Sequence, residues 1–315
     1  MEADDGVLRA LPQVAMSRPG VAGLLMPGLL TACQSSPPVA APIATGFSMV
    51  APGVISTAMP EFALTVSPDG NEIYFDRASE DRSQIVIMVS RRSLGQWINP
   101  EVAPFSGMWR DVDPFIDPGG KRLYFSSNRP RATASGTSFS TWYVEPTPTG
   151  WSEPIDPGPP LNSDSSDIYV SVSRAGELYF SSARDGPIGI YVSSNSGGEW
   201  SMPERVELGS GTAGAGNPMI SPDGNVLLVT MRQSGSDVDI MYSCRRPNGW
   251  SAPQALPAPV NSSRADFAPA IDASGSMLYF TSERPGIVGI KPDSIRPPGD
   301  LYQIPFKDAG INCSS

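Results

Sequence analysis

Four carboxylates recur at one position of a repeated phrase, and they are the residues of this sequence best placed to do chemistry. Glu61, Asp111, Asp167 and Asp266 each stand six residues ahead of the Ser or Asp that opens the phrase, with Ala215 taking the place in one copy. Carboxylates that converge can hold a cation or the cationic group of a ligand. A pair at the right separation can also cleave a glycoside. Arg129, Arg184 and Arg284 lie four residues beyond Phe125, Phe180 and Phe280, near the same carboxylates, and offer a plainer alternative, structural ion pairing. The Asp-x-Asp pairs Asp111/Asp113 and Asp237/Asp239 carry oxygen ligands of the kind calcium takes, but two carboxylates are far from the roughly six to eight it needs. No metal and no cofactor is expected.

Composition narrows the chemistry further. The 315 residues contain no histidine, so Ser-His-Asp and Cys-His nucleophiles and His-ligated zinc or iron are excluded. Against 22 basic residues stand 32 acidic ones, a net charge of −10 that repels phosphate backbones and excludes nucleic acid as a partner. Gly 31 and Pro 34 make the chain rich in turns, and its apolar residues come as short Val, Ile, Tyr and Phe runs without helical stripes. These features predict an all-β protein.

The phrase that follows the carboxylates supplies the architecture. "SPDGNEIYF" from Ser67 is echoed by "DPGGKRLYF" from Asp117, "SRAGELYF" from Ser173, "SPDGNVLLV" from Ser221 and "DASGSMLYF" from Asp272. Between the copies stand Trp97, Trp151, Trp200 and Trp250, each opening Trp-x-x-Pro. A period near 50 residues belongs to stacked or radial repeats. Each unit divides into four strand-like pieces, such as "EFALTV", "NEIYF", "SQIVIMVS" and "WINPEVAPF", and four antiparallel strands make one propeller blade. The Tyr-Phe pair in the second piece points to opposite faces of its blade and can pack on both neighbours.

The fifth unit lacks a Trp-x-x-Pro segment. "GFSMVAPGVIST", Gly46 to Thr57, resembles "EWSMPERVELGS" with Phe47 in the Trp place, so the N-terminal strand is expected to complete the last blade and close the ring. The predicted fold is a five-bladed β-propeller over residues 46–307, with 308–315 as a C-terminal tail.

"DVDPFIDPGGKRLYFSSNRP" and "ADFAPAIDASGSMLYFTSERP" resemble the TolB-type WD40-like propeller repeats of bacterial envelope proteins. That resemblance covers residues 46 to about 307, nearly the whole mature chain. It implies binding or scaffolding at the envelope and no shared catalytic set. The separate domain that TolB carries before its propeller has no counterpart in these residues, so TolB's own role does not transfer. "SSNSGGEW", Ser193 to Trp200, resembles the Asp-box hairpin of sialidase-type propellers with Asn195 in the Asp place, a folding motif and not an active site.

The first 33 residues read as an address. "VAGLLMPGLLTA", Val21 to Ala32, has the length of a signal-peptide core, and Leu30-Thr31-Ala32-Cys33 resembles the lipobox of bacterial lipoproteins, in which the cysteine thiol receives diacylglycerol. The alternative is a disordered apolar leader with an incidental cysteine. Glu2, Asp4 and Asp5 make an acidic start unlike an export signal, whereas a start at Met16 places Arg18 ahead of the apolar run. Residues 34–45 read as a flexible tether. The expected location is the cell envelope, lipid-anchored at the periplasmic face of the outer membrane or the cell surface, with contact to the membrane only through the anchor. Cys244 and Cys313 then remain as an even pair; a disulfide between them and two free thiols fit equally.

Long loops on a rigid scaffold are where binding usually sits. "SSNRPRATASGTSFS" and "TSERPGIVGIKPDSIRPPG" are the longest, and with Trp109 and Arg110 they mark one face; plain surface elaboration is the alternative. The candidate binding face is therefore Glu61, Trp109, Arg110, Asp111, Asp113, Arg129, Asp167, Arg184, Asp266 and Arg284. The expected function is a non-catalytic, monomeric binding module for an envelope protein or a cell-wall or glycan ligand. A glycosidase using the carboxylates at the channel mouth is the alternative.

Overall fold

The computed structural model describes residues 46–132, 138–209, 214–232, 237–286 and 298–314. Cys33, the leader, the tether and parts of both long loops lie outside the described residues. The strands gather into small antiparallel sheets whose inner strands contact one another in cyclic order, the last meeting the first, which makes a five-bladed β-propeller.

Blade 1 runs Glu61–Val66, Glu72–Ala78, Ile85–Ser93 and Glu101–Val102 from the axis outwards. Blade 2 is Asp111–Ile116, Leu123–Ser127 and Ser140–Val144, with the bridge Tyr143–Ile155 in the fourth position. Blade 3 is Asp167–Val172, Glu177–Ser182, Gly189–Ser196 and Glu204–Arg205, and blade 4 is Gly216–Ile220, Val226–Arg232, Val238–Arg246 and Gln254–Ala255. Blade 5 takes Asp266–Ile271, Met277–Ser282 and Asp300–Pro305 from the end of the chain and Ser48–Met49 from its beginning, Ser48 opposite Gln303 and Met49 opposite Tyr302. The ring is thus closed by the N-terminal strand, and the exposed edges of an open array are removed.

The fourth strands are shorter than the sequence predicts, and proline is the reason. Trp97 and Trp250 sit in the tip of a hairpin that extends the third strand, paired with Arg92 and Arg245, before Pro100 and Pro253 break the ladder by lacking a donor. Only two residues then pair in the fourth strands of blades 1, 3 and 4, and only Ile155 in blade 2.

The second-strand aromatics build the junctions between blades. Tyr74 packs with Ile116 and Phe125 of blade 2, while Phe75 packs with Ile55 and Leu301 on its other side. Phe180 likewise lies in a core shared with Phe115 and Tyr124 of blade 2, and Tyr179 in one shared with Leu227 and Val229 of blade 4. The alternation of side chains along a strand makes this possible, because neighbours point to opposite faces. Beyond the last blade, Cys313 is disulfide-bonded to Cys244 in blade 4, with Cα atoms 5.6 Å apart, which ties the tail Phe306–Ser314 against the core.

Candidate binding face at the channel mouth

The four recurring carboxylates open the inner strands, and all are fully buried. Each is held by an arginine: Asp111–Arg129 at 2.7 Å, Asp167–Arg184 at 2.8 Å, Asp266–Arg284 at 2.9 Å and Glu61–Arg77 at 2.9 Å. The second oxygen is taken as well. Ser163 and Ser262 donate both N–H and hydroxyl to Asp167 and Asp266, Ser106 donates its hydroxyl to Asp111, and Thr57 donates its N–H to Glu61. The arginines continue to backbone carbonyls of the preceding segment, such as Arg184 to Pro160 and Arg284 to Pro259, and lie over the Phe rings of their own blades. A buried charge needs this degree of satisfaction. The set is a staple repeated in four blades; its lone pairs are spent on the protein, and burial pushes the Glu61 carboxyl upwards.

The channel itself is lined by a different residue of each inner strand. The third or second residue along, Ala63, Asp113, Tyr169, Asn217 or Ala268, has a positive φ between 40° and 59°, and each marks a slip in register with the second strand. One extra residue at each place is a β-bulge, which turns the strand and aims its side chain afresh. The N–H groups of Ala63, Asp113 and Tyr169 reach back to the preceding blade, to Thr281 Oγ1 at 3.0 Å, Asp76 Oδ2 at 2.8 Å and Ser126 Oγ at 3.2 Å.

These bulges surround a narrow passage of about 40 Å³ that widens, at the end where the inner strands begin, into a mouth of about 410 Å³. Phe62, Arg82, Arg110, Asp113, Tyr169, Asn217 and Phe267 supply its polar and aromatic surface. Burial drives the Asp113 carboxyl up to about 8, and Asp76 behind it, fully buried with Oδ1 unbonded, lies well above the usual range through its own burial and the charge of Asp113. Asp113 is thereby shifted towards its protonated form, and Arg110 and Arg82 bring guanidinium groups to the mouth, that of Arg82 lying 3.9 Å from the Glu283 carboxylate.

Of the residues marked by sequence, Arg110 and Asp113 line the mouth, and Trp109, 40 % exposed, stands beside them on the segment entering blade 2. Glu61, Asp111, Asp167, Asp266, Arg129, Arg184 and Arg284 are drawn back into the staples. The Asp-x-Asp reading separates in the same way: Asp111 joins Arg129 while Asp113 enters the channel. Among the described residues no three His, Cys, Asp or Glu side chains are grouped as metal ligands. Asn195 accepts the N–H of Gly198 at 3.1 Å within its hairpin. Sequence reasoning missed Asp76, Arg82, Phe62, Tyr169, Asn217 and Phe267. For Asp76 a signal existed, since the other copies carry Ser126, Ser181, Thr230 and Thr281 at that place.

No protein-family model and no curated protein matches this sequence. Among solved structures, a protein of Agrobacterium tumefaciens described as a TolB is 19 % identical with a TM-score of 0.51, over 81 % of this chain and 80 % of that one. The catalytic domain of a GH62 α-L-arabinofuranosidase from Coprinopsis cinerea is 13 % identical with a TM-score of 0.51, over 82 % and 96 %. An α-L-arabinofuranosidase of Podospora anserina, solved with cellotriose, is 13 % identical with a TM-score of 0.50, over 84 % and 98 %. At such identities the likeness is one of fold, shared by binding proteins and enzymes alike.

Proposed function

We propose that this chain is an exported binding module, anchored to the cell envelope through a lipid on Cys33, that engages an envelope protein or a cell-wall glycan over the channel mouth. The observation that carries this reading is the charge of the mouth. Among the described residues Asp113 is its single lining carboxyl, its acidity suppressed by burial, beside Arg110 and an Arg82 that also faces Glu283 at 3.9 Å. Glycoside cleavage needs two carboxyls about 5 to 9.5 Å apart and open to substrate, whereas the other inner-strand carboxylates are buried and bonded. Aromatic groups, an amide and two guanidiniums around a cavity suit recognition of a polar or anionic surface.

The test is a soluble Cys33→Ser form used to capture envelope partners and to probe a glycan array, beside Trp109→Ala and Arg110→Ala. Binding that both substitutions weaken, without loss of folding, supports the reading; binding that neither touches overturns the assignment to this face. The two arabinofuranosidase folds keep a second reading alive. Hydrolysis on a glycan panel that vanishes in Asp113→Asn would establish an enzyme instead.

A further inference from the structure

The junctions of blades 1 and 2 and of blades 3 and 4 are built alike at the end of the ring opposite the channel mouth. At both, a Glu and a Tyr of one blade meet a Trp of the next: Glu72, Tyr74 and Trp151, and Glu177, Tyr179 and Trp250, with the Tyr and Trp rings edge to face at 6.2 Å and 6.1 Å. At the second junction the space between them is filled by Arg245. Its guanidinium lies 4.7 Å from the centroid of the Trp250 ring and donates to Glu177 Oε2 at 2.6 Å, to Tyr179 Oη at 3.0 Å and to the carbonyl of Gly224 at 2.6 Å.

At the first junction every acceptor has its counterpart, and the arginine does not. Arg245 pairs with Trp250 across its hairpin as Pro146 pairs with Trp151, so Pro146 stands where the guanidinium arm would begin. Gly120, with φ 65°, takes the place of Gly224 in the turn. What remains is a groove of about 430 Å³ lined by Glu72, Tyr74, Gly120, Pro146, Trp151 and the ionised Asp69, with Arg91 at its blade 1 wall. Arg91 engages Glu72 from its own blade through Oε1 at 2.9 Å, and Tyr74 donates to Oε2 at 2.8 Å, so Glu72 is oriented with lone pairs still to offer.

We propose that the groove between blades 1 and 2 is a seat for an arginine side chain of a partner polypeptide, which takes the place that Arg245 fills between blades 3 and 4. The indole face, a carboxylate and a carbonyl suit a planar cation that stacks and donates at once, and they suit an ammonium less well. Its location at the turn end of the blades makes the seat independent of the channel-mouth reading.

The experiment titrates acetyl-Gly-Arg-Gly-amide into the folded chain and follows the indole N–H resonance of Trp151, whose Nε1 donates to Tyr74 Oη at 2.8 Å. A saturable shift is expected, with affinity about tenfold lower for the uncharged citrulline peptide. In Pro146→Arg the chain's own arginine fills the seat and the peptide no longer binds, while Trp109→Ala changes nothing. No saturable shift, equal affinity for the citrulline peptide, or unaltered binding to a folded Pro146→Arg overturns the proposal. Should Pro146→Arg fail to fold, Glu72→Gln decides: a drop of about tenfold supports the seat, and unchanged affinity removes it.

Discussion

Asp76 accepts the backbone N–H of Asp113 at 2.8 Å, across the junction of blades 1 and 2, where blades 5 and 2 use the hydroxyls of Thr281 and Ser126. A hydroxyl performs this task without charge. A carboxylate there is buried, has an unbonded oxygen and faces a second carboxyl, so folding favours its protonated form.

Stability should therefore depend on pH through this pair. Both groups have folded values raised above the ordinary 3.8, Asp113 to about 8, so the folded state holds protons that the unfolded chain releases. The contribution is fully present below about pH 4 and is lost as pH rises to about 8. Asp76→Asn keeps the acceptor and removes the charge. Thermal unfolding should show a higher Tm for this variant at pH 8, by about 2–4 °C for each kcal/mol recovered, and a smaller gain at pH 5. Equal gains at both pH values would show that the pair does not titrate as described.

Arg184→Ala should cost about 3–5 kcal/mol in urea unfolding, because it strands the fully buried Asp167. Arg91→Ala, an exposed pair with Glu72 and Glu101, should cost about 1 kcal/mol or less. Adding Asp167→Asn to Arg184→Ala should recover part of the loss. A similar cost for both arginines would contradict the assignment of the staples as structural.

Reduction, or replacement of Cys244 and Cys313 by Ser, should destabilise the ring by about 2–4 kcal/mol, since the bond closes a separation of 69 residues. Denaturant unfolding with and without reductant measures it.

Phe47→Ala should lower stability by about 2 kcal/mol, because the ring stacks on Tyr302 at 5.5 Å and Phe280 at 6.3 Å and lies under the Arg284 guanidinium at 5.2 Å. Phe47→Trp, which restores the residue of the other units, should fold normally. Calorimetry of both variants tests whether the N-terminal strand closes the ring through this contact.

The ring was legible in the sequence because its determinants are periodic: the turn phrase, the Tyr-Phe pair and the Trp landmarks each act within one blade or on the next. The staples of blades 2, 3 and 5 were legible for the same reason, as a fixed distance from Phe to Arg. Blade 1 escaped because its arginine, Arg77, stands two residues beyond Phe75 and pairs with a Glu, whose longer side chain makes up the difference. The mouth was legible only in part. Its lining depends on bulges that re-aim Asp113, Tyr169 and Asn217, and no residue type announces a bulge when Ala, Asp, Tyr and Asn all occupy it. The groove beside Trp151 was invisible, since its likeness to the Arg245 site emerges only when two junctions are compared in space.

All five bulges share the same left-handed backbone, and at Ala63, Asp113 and Tyr169 the main-chain N–H is bonded to the preceding blade, so the conformation does not depend on which side chain stands there. Ala63, Asp113, Tyr169, Asn217 and Ala268 share a backbone and little else. The aperture is a ring of differing side chains on a repeated frame, so its chemistry is set at positions that the repeat itself leaves unspecified.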